Sequence, residues 1–197
     1  PGGNGTSFSY ADVDFFLLDD RSFRVPPDVV TAKPTMLGQA QIDRLIQMLK
    51  YSDASFKIVA LGGQFLNTAA VFENYATYTE ERQQVIDRIE KEGITGVVFL
   101  TGDRHYSDLS KLELKEGNVL YDLTVSPLTS GVHAKKEDNT LAVPGTYVEQ
   151  RNFATLSFKG PRKARTLVMA LHDADGNLLW ERTVAAPPPG LAPIAAG

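Results

Sequence analysis

Gly96-Val97-Val98-Phe99-Leu100-Thr101-Gly102-Asp103-Arg104-His105-Tyr106 is the stretch that decides the fold. It opens on a short apolar run, β-branched and aromatic, and then breaks into Thr-Gly-Asp. A run of that length with turn residues at its end predicts a buried strand over residues 96–100. Upstream, Lys57-Ile58-Val59-Ala60-Leu61 has the same character and stops at Gly62-Gly63. Between the two, residues 80–91 predict a helix. Thr77 and Glu80 have the spacing of a capping box, and Gly93 is the stop. Strand, helix, strand over residues 57–100 is the pattern of a parallel pair joined by a right-handed crossover.

Residues 39–50 predict a second amphipathic helix, because Ile42, Leu45, Ile46 and Leu49 fall on one stripe. Residues 6–18 predict two strands around Ala11-Asp12. The second, residues 13–18, ends in a continuous apolar run and is expected to be buried on both faces. After Ser107 the pattern changes. Residues 109–114, 119–125, 153–158, 166–170 and 178–183 all predict strands, and the last two flank a hairpin tip, Asp173-Ala174-Asp175-Gly176-Asn177. The chain is α/β at first and mostly antiparallel β afterwards, which predicts a two-sheet sandwich with helices outside. Residues 1–184 are expected to form the domain. Residues 185–197, rich in proline and alanine, are expected to form a disordered tail.

Composition narrows the function. The 197 residues are 43% hydrophobic and 22% charged, ordinary for a globular protein. A net charge of −4 argues against a broad nucleic-acid-binding surface, though not against a local cationic site for phosphate. No apolar run approaches the ~20 residues of a membrane-spanning helix. Cysteine is absent, so disulfides, thiolate metal sites and a cysteine nucleophile are excluded within this chain. Any metal here must be held by harder ligands. The chain opens on Pro1 and reaches a strand pattern within a few residues, as expected of a fragment, a processed product or a trimmed chain. No signal peptide is visible, which carries no weight about localisation.

In open α/β sheets, functional groups gather beyond the C-terminal ends of parallel strands. Three polar clusters occupy such ends: Asp19-Asp20-Arg21, Gly62-Gly63-Gln64 and Gly102-Asp103-Arg104-His105. They are expected to converge on one rim if the strands are neighbours. In an extended segment Asp103 and His105 would point to the same side and present a carboxylate and an imidazole together, common ligands for zinc, iron or manganese. The same four residues also suit a surface turn closed by a carboxylate–histidine hydrogen bond.

Four segments, in order, resemble one family. Leu100 to Ser107, LTGDRHYS, is similar to the LTGDxH segment of PhoD-type alkaline phosphatases and phosphodiesterases. LDDRSFR (Leu18 to Arg24) resembles that family's LDxRxxR, LGQAQIDRL (Leu37 to Leu45) its LGxxQxxWL, and Ala60-Leu61-Gly62-Gly63-Gln64 its Val-Leu-x-x-Gln strand end. The resemblance implies the C-terminal half of a calcineurin-like metallophosphoesterase, an α/β/β/α sandwich with mixed and then antiparallel strands. It implies hydrolysis of phosphate mono- or diesters by two or more divalent or trivalent metal ions (iron, calcium, zinc or manganese), and a periplasmic or extracellular home. His105 would be a metal ligand, and Asp103 a ligand or the group that orients one. Arg21 would clamp phosphate or tie the rim, and Gln64 would line the site. The superfamily motifs that carry most metal ligands lie upstream of LDxRxxR and are missing here, so an upstream half of the domain or a partner chain is expected to supply them. The departures are local: Arg44 stands where the family often has Trp, and Phe72-Glu73-Asn74-Tyr75 matches a Trp-containing stretch loosely. A truncated, non-catalytic binding or structural module is the alternative.

The remaining candidates are weaker. Arg24 and His172 are expected to be structural, and Tyr106 to pack beside the site. His133 and Lys135-Lys136 are expected in a solvated loop, and residues 124–129 to offer hydroxyls to the rim. Asp173, Asp175 and Asn177 mimic the start of a calcium loop, but Val184 stands where a bidentate Glu is needed.

Overall fold

The structure is a computed structural model that describes residues 3–135 and 137–187. Its elements are β1 (Thr6–Tyr10), β2 (Val13–Leu17), α1 (Gln39–Tyr51), β3 (Phe56–Ala60), α2 (Thr79–Lys91), β4 (Val97–Thr101), β5 (Asp108–Glu113), β6 (Val119–Thr124), β7 (Asn152–Lys159), β8 (Thr166–Asp173) and β9 (Leu178–Ala185). The first six strands form one sheet in the order β1-β2-β3-β4-β6-β5, and the last three form a second sheet, β7-β8-β9. β2, β3, β4 and β6 run parallel, with antiparallel β1 and β5 at the two edges. The second sheet is antiparallel throughout.

Two cores hold these layers together. α1 follows β2 and α2 follows β3, so two crossovers of the same hand put both helices on one face of the large sheet. There Ile42, Leu45, Ile46 and Leu49 of α1 meet Val85, Ile86 and Ile89 of α2 over Phe16, Val59, Val97 and Phe99. The other face of the same strands presents Val13, Phe56, Ile58, Val98 and Leu123. These pack on Leu167, Met169, Leu171 and Trp180 of the second sheet. The period-two alternation of side chains along β3 and β4 feeds both cores, which is why these strands read as continuous apolar runs. The described residues thus build helices, large sheet and small sheet, three layers of the expected α/β/β/α arrangement.

Local readings need correction in four places. β2 buries a side chain in each core, Phe16 on the helix side and Val13 on the other, but its end is not enclosed: Leu17 is exposed. The capping box does not form. Tyr78 occupies the N-cap of α2 without a side-chain cap bond, and the Thr77 hydroxyl donates instead to Asn74 O (2.8 Å). It is Glu81, one residue on and buried, that holds this end. Its carboxylate accepts from Met36 N, Leu37 N and Tyr75 Oη, each at 2.8 Å. β8 runs three residues past its expected end. β9 takes in Ala185, the first residue of the expected tail; residues 188–197 of that tail lie outside the described residues.

Candidate active site

The parallel strands β2, β3 and β4 are adjacent, and their pairing continues past their ends. Leu18 N donates to Ala60 O (2.9 Å), Leu61 N to Leu100 O (3.1 Å) and Gly102 N to Gly62 O (3.1 Å). The three polar clusters therefore share one rim. Asp20 reaches across it, accepting from Gly62 N (2.9 Å) and Gly63 N (3.2 Å). A Cβ at Gly62 would lie 2.7 Å from that carboxylate, so glycine is needed for the approach. Asp19 closes its own turn. The Ser22 hydroxyl and amide, with the amides of Asn4 and Arg21, hold its carboxyl well below the usual range.

Asp103 and His105 do not lie in an extended segment. Asp103 has φ +69° and His105 φ +59°, both in the left-handed region. Arg104 N donates to Gly102 O (2.9 Å), closing a γ-turn with Asp103 at its centre, a rare and strained form. Asp103 is exposed on the rim. His105 is half-buried: its amide donates to Ser126 Oγ (3.1 Å), its carbonyl accepts from His133 N (3.1 Å), and its ring stacks on that of His133 at 4.5 Å. Its Nδ1 is buried and has no hydrogen-bond partner, so this imidazole nitrogen is uncommitted and of the type that ligates metal. Among the described residues, no group of three or more His, Asp or Glu is arranged to hold a metal ion. The residues present thus fit part of a metal site only.

Beneath the turn lies a buried polar network. Gln64 is wholly buried (0% exposed) and sits inside this network, away from the rim. Its amide donates to Thr124 Oγ1 (2.9 Å) and more weakly to Asp108 Oδ1 (3.3 Å); its oxygen accepts from Asn67 (2.7 Å) and Tyr106 Oη (3.2 Å). In this geometry it braces the site from below and touches nothing above the rim. Burial pushes the Tyr106 phenol well up, and its one hydroxyl hydrogen is shared between the Gln64 oxygen and Glu137 (3.0 Å). Asp122, between Thr101 and Thr124, accepts from Phe65 N (2.8 Å), Leu66 N (2.7 Å) and the Thr101 hydroxyl (2.7 Å). Burial raises its pKa to about 6. Asp108 is raised in the same way.

Arg21 is mostly solvent-exposed. It pairs with Glu73 at 2.7 Å, which lifts its pKa, and lies 4.0 Å from Asp20. Arg24 takes the other oxygen of Glu73 (2.6 Å) and donates to Tyr78 Oη (2.8 Å), a tie within the fold. Sequence reasoning missed Glu73, Arg104, Glu137 and Asp122. Arg104 is buried, paired with Glu137 and donating to Asn74 Oδ1 (3.3 Å). Lys135 was expected in solvent. Its side chain is instead 16% exposed, with Nζ 3.8 Å from Asp108 Oδ2; Lys136 lies outside the described residues. Of residues 124–129, Ser126 supports the His105 amide, while Thr124 stays in the network below. His172 stacks on Phe153 in the second sheet, and Asp173 accepts from Asp175 N and Asn177 N in the tight turn that follows β8.

No curated protein matches the chain in sequence. Among solved structures, one described as the structure of PhoD superposes with a TM-score of 0.68 at 18% identity, over 93% of this chain and 44% of that one. A single mutant of Vps29 from Entamoeba histolytica superposes with a TM-score of 0.30 at 11% identity, over 87% of this chain and 98% of that one, too loosely to bear on the fold. The chain therefore spans less than half of the PhoD chain whose fold it shares. The sequence pattern of the PhoD-like phosphatases matches residues 6–168, from β1 into β8 and across all three rim clusters, and the chain belongs to the PhoD-like phosphatase family.

Proposed function

We propose that this chain supplies one side of the active site of a metal-dependent phosphoesterase, cleaving phosphate mono- or diesters, and that an upstream segment or a partner chain supplies the rest. The observation that carries this reading is the backbone at Asp103 and His105. Two non-glycine residues held left-handed on either side of Arg104 cost on the order of 1–3 kcal/mol each, and such strain concentrates at active sites. The fold maintains it with bonds that serve this turn: Ser126 to the His105 amide, His133 to its carbonyl, and Glu137 to Arg104.

In this reading His105 would be a metal ligand, and Asp103 a ligand or the group that orients one. Bound metal would supply an activated water and stabilise charge on the phosphate oxygens. Arg21, exposed at the same rim, is free to turn from Glu73 toward a phosphate, where a guanidinium can bind two oxygens at once. Gln64, Tyr106 and Thr124 keep the turn from relaxing.

The test is His105→Ala in the longer protein that includes the upstream segment. Bound metal and the release of phosphate from an aryl phosphate should both fall by about 100-fold or more, as for loss of a ligand or of its support. Unchanged metal content and rate would defeat the assignment. A second reading, a non-catalytic binding module, draws on the lack of a three-ligand group among the described residues. If the longer protein also holds no metal and releases no phosphate, that reading stands.

A further inference from the structure

We propose that Phe72 is an aromatic platform that takes the leaving group of the substrate, and that the preferred phosphate esters therefore carry an aryl or heteroaromatic group. This rests on the phosphoesterase reading above.

Three independent observations converge on this residue. First, Phe72 is 81% exposed, although it lies in a loop whose other aromatics, Phe65, Tyr75 and Tyr78, are buried. Most of the ring is therefore open to solvent and available to a ligand. Second, its backbone has φ +49°. It is the second residue of a turn closed by Asn74 N to Val71 O (3.1 Å), a position glycine would occupy without strain. A bulky side chain at such a φ is an outlier that the surroundings must maintain. Third, the ring is placed. The Arg104 guanidinium lies 4.7 Å from the ring centroid, and Glu137 and Asn74 hold that guanidinium in place. The next residue, Glu73, takes Arg21 and Arg24 on its two oxygens, and its carbonyl lies against Gly63.

Phe72 is therefore linked to both parts of the candidate site: the next residue, Glu73, pairs with Arg21, and its ring lies against Arg104, the residue between Asp103 and His105. Cover for Arg104 alone would not account for the ring. Arg104 is already ion-paired with Glu137 beneath the surface, and a leucine could cover it without exposing so much apolar area. A fixed ring with its remaining surface in solvent, beside groups that would bind a phosphate, is suited to stacking on the aromatic part of an ester. Such a contact is worth about tenfold in affinity.

The experiment measures binding of inorganic phosphate, methylphosphonate and phenylphosphonate to the full, metal-loaded protein by calorimetry, with no turnover involved. The wild-type protein should bind phenylphosphonate about tenfold more tightly than methylphosphonate. Phe72→Ala should bring that ratio close to one, and Phe72→Trp should keep or raise it. If the wild type binds inorganic phosphate but shows no phenyl preference, or if Phe72→Ala leaves the preference intact, the platform is wrong and the phosphoesterase reading survives. If none of the three probes binds the wild type, both are wrong. Should Phe72→Ala fail to fold, the wild-type ratio and Phe72→Trp still decide the question.

Discussion

Asp122 shows how one buried side chain ties the site to stability. It lies in the middle of β6, fully enclosed, with two loop amides and one hydroxyl directed at it. Burial raises its pKa from 3.8 to about 6. The folded chain therefore holds this proton more tightly than the unfolded chain does. Its contribution to stability is complete below about pH 4 and is lost as pH rises through about 6, a change of ~3 kcal/mol. Asp122→Asn keeps an oxygen for the Phe65 and Leu66 amides and offers an N–H to Thr101, which can turn its own hydroxyl to Thr124. The variant should fold, and its stability relative to wild type should rise between pH 4 and pH 7 in urea unfolding. A difference that stays flat over that range would show that the carboxylate ionises without penalty. Sequence reading passed over the Asp inside Val119-Leu120-Tyr121-Asp122-Leu123-Thr124, because the two amides that hold it come from a loop 56 and 57 positions away and the hydroxyl from a neighbouring strand. The extended geometry read for Asp103 and His105 is wrong, since both have positive φ. Asp and His are among the few residues that tolerate left-handed backbone, so the same letters suit a strained turn as well as a strand.

The elements followed from apolar periodicity, and their ends did not. Periodicity reports which face is buried, and every predicted helix and strand is present; all but the exposed edge strand β1 face one of the two cores. The end of α2 is set by a tertiary contact, Glu81 to the segment before α1, which local cap spacing cannot reveal. Glycine at the other end shows how two positions with similar backbone can differ. Gly93 (φ +63°) ends α2, and a Cβ there would meet nothing within 4 Å. Gly96 (φ +73°) opens β4, and a Cβ there would lie 2.4 Å from Ser55 O, at the start of β3. Lys57 N donates to the Gly96 carbonyl (2.8 Å), so neither strand can shift without losing the first rung of the parallel pair. Gly93→Ala should cost only the left-handed strain, ~1–2 kcal/mol. Gly96→Ala should cost that and at least ~2 kcal/mol more, in the range of an overpacked core. Denaturant unfolding of the two variants compares them directly, and equal losses would mean that the β3–β4 approach is softer than the geometry indicates.

At the scale of the molecule, the large sheet is finished on one edge and open on the other. β5 is sealed by bridges to the 139–148 segment, whereas every residue of β1 is exposed, with Phe8 stacked on Phe15 at 4.8 Å. Beside it, Leu17, Leu18, Phe23 and Met48 line an apolar groove of about 230 Å³. An open edge and an apolar groove are where further chain would add. The chain covers 44% of the PhoD chain it resembles. The candidate site has the same character: among the described residues no three His, Asp or Glu side chains come together to hold a metal ion, and Asp103 and His105 are the two proposed as ligands. Structural and catalytic metal sites use three or four protein ligands. Two exposed or half-buried groups should bind divalent metal only weakly, with a Kd roughly in the millimolar range, some 4 kcal/mol of binding free energy. The 197 residues alone should therefore lose added manganese, zinc, calcium or iron on gel filtration and release no phosphate from an aryl phosphate. If an upstream segment or a partner chain completes the site as proposed, adding it should give both metal retention and turnover, and should raise the thermal midpoint if it covers β1. Stoichiometric metal and sustained turnover by the 197-residue chain alone would mean that its own residues complete the site, and that the division of ligands proposed for this family member is wrong.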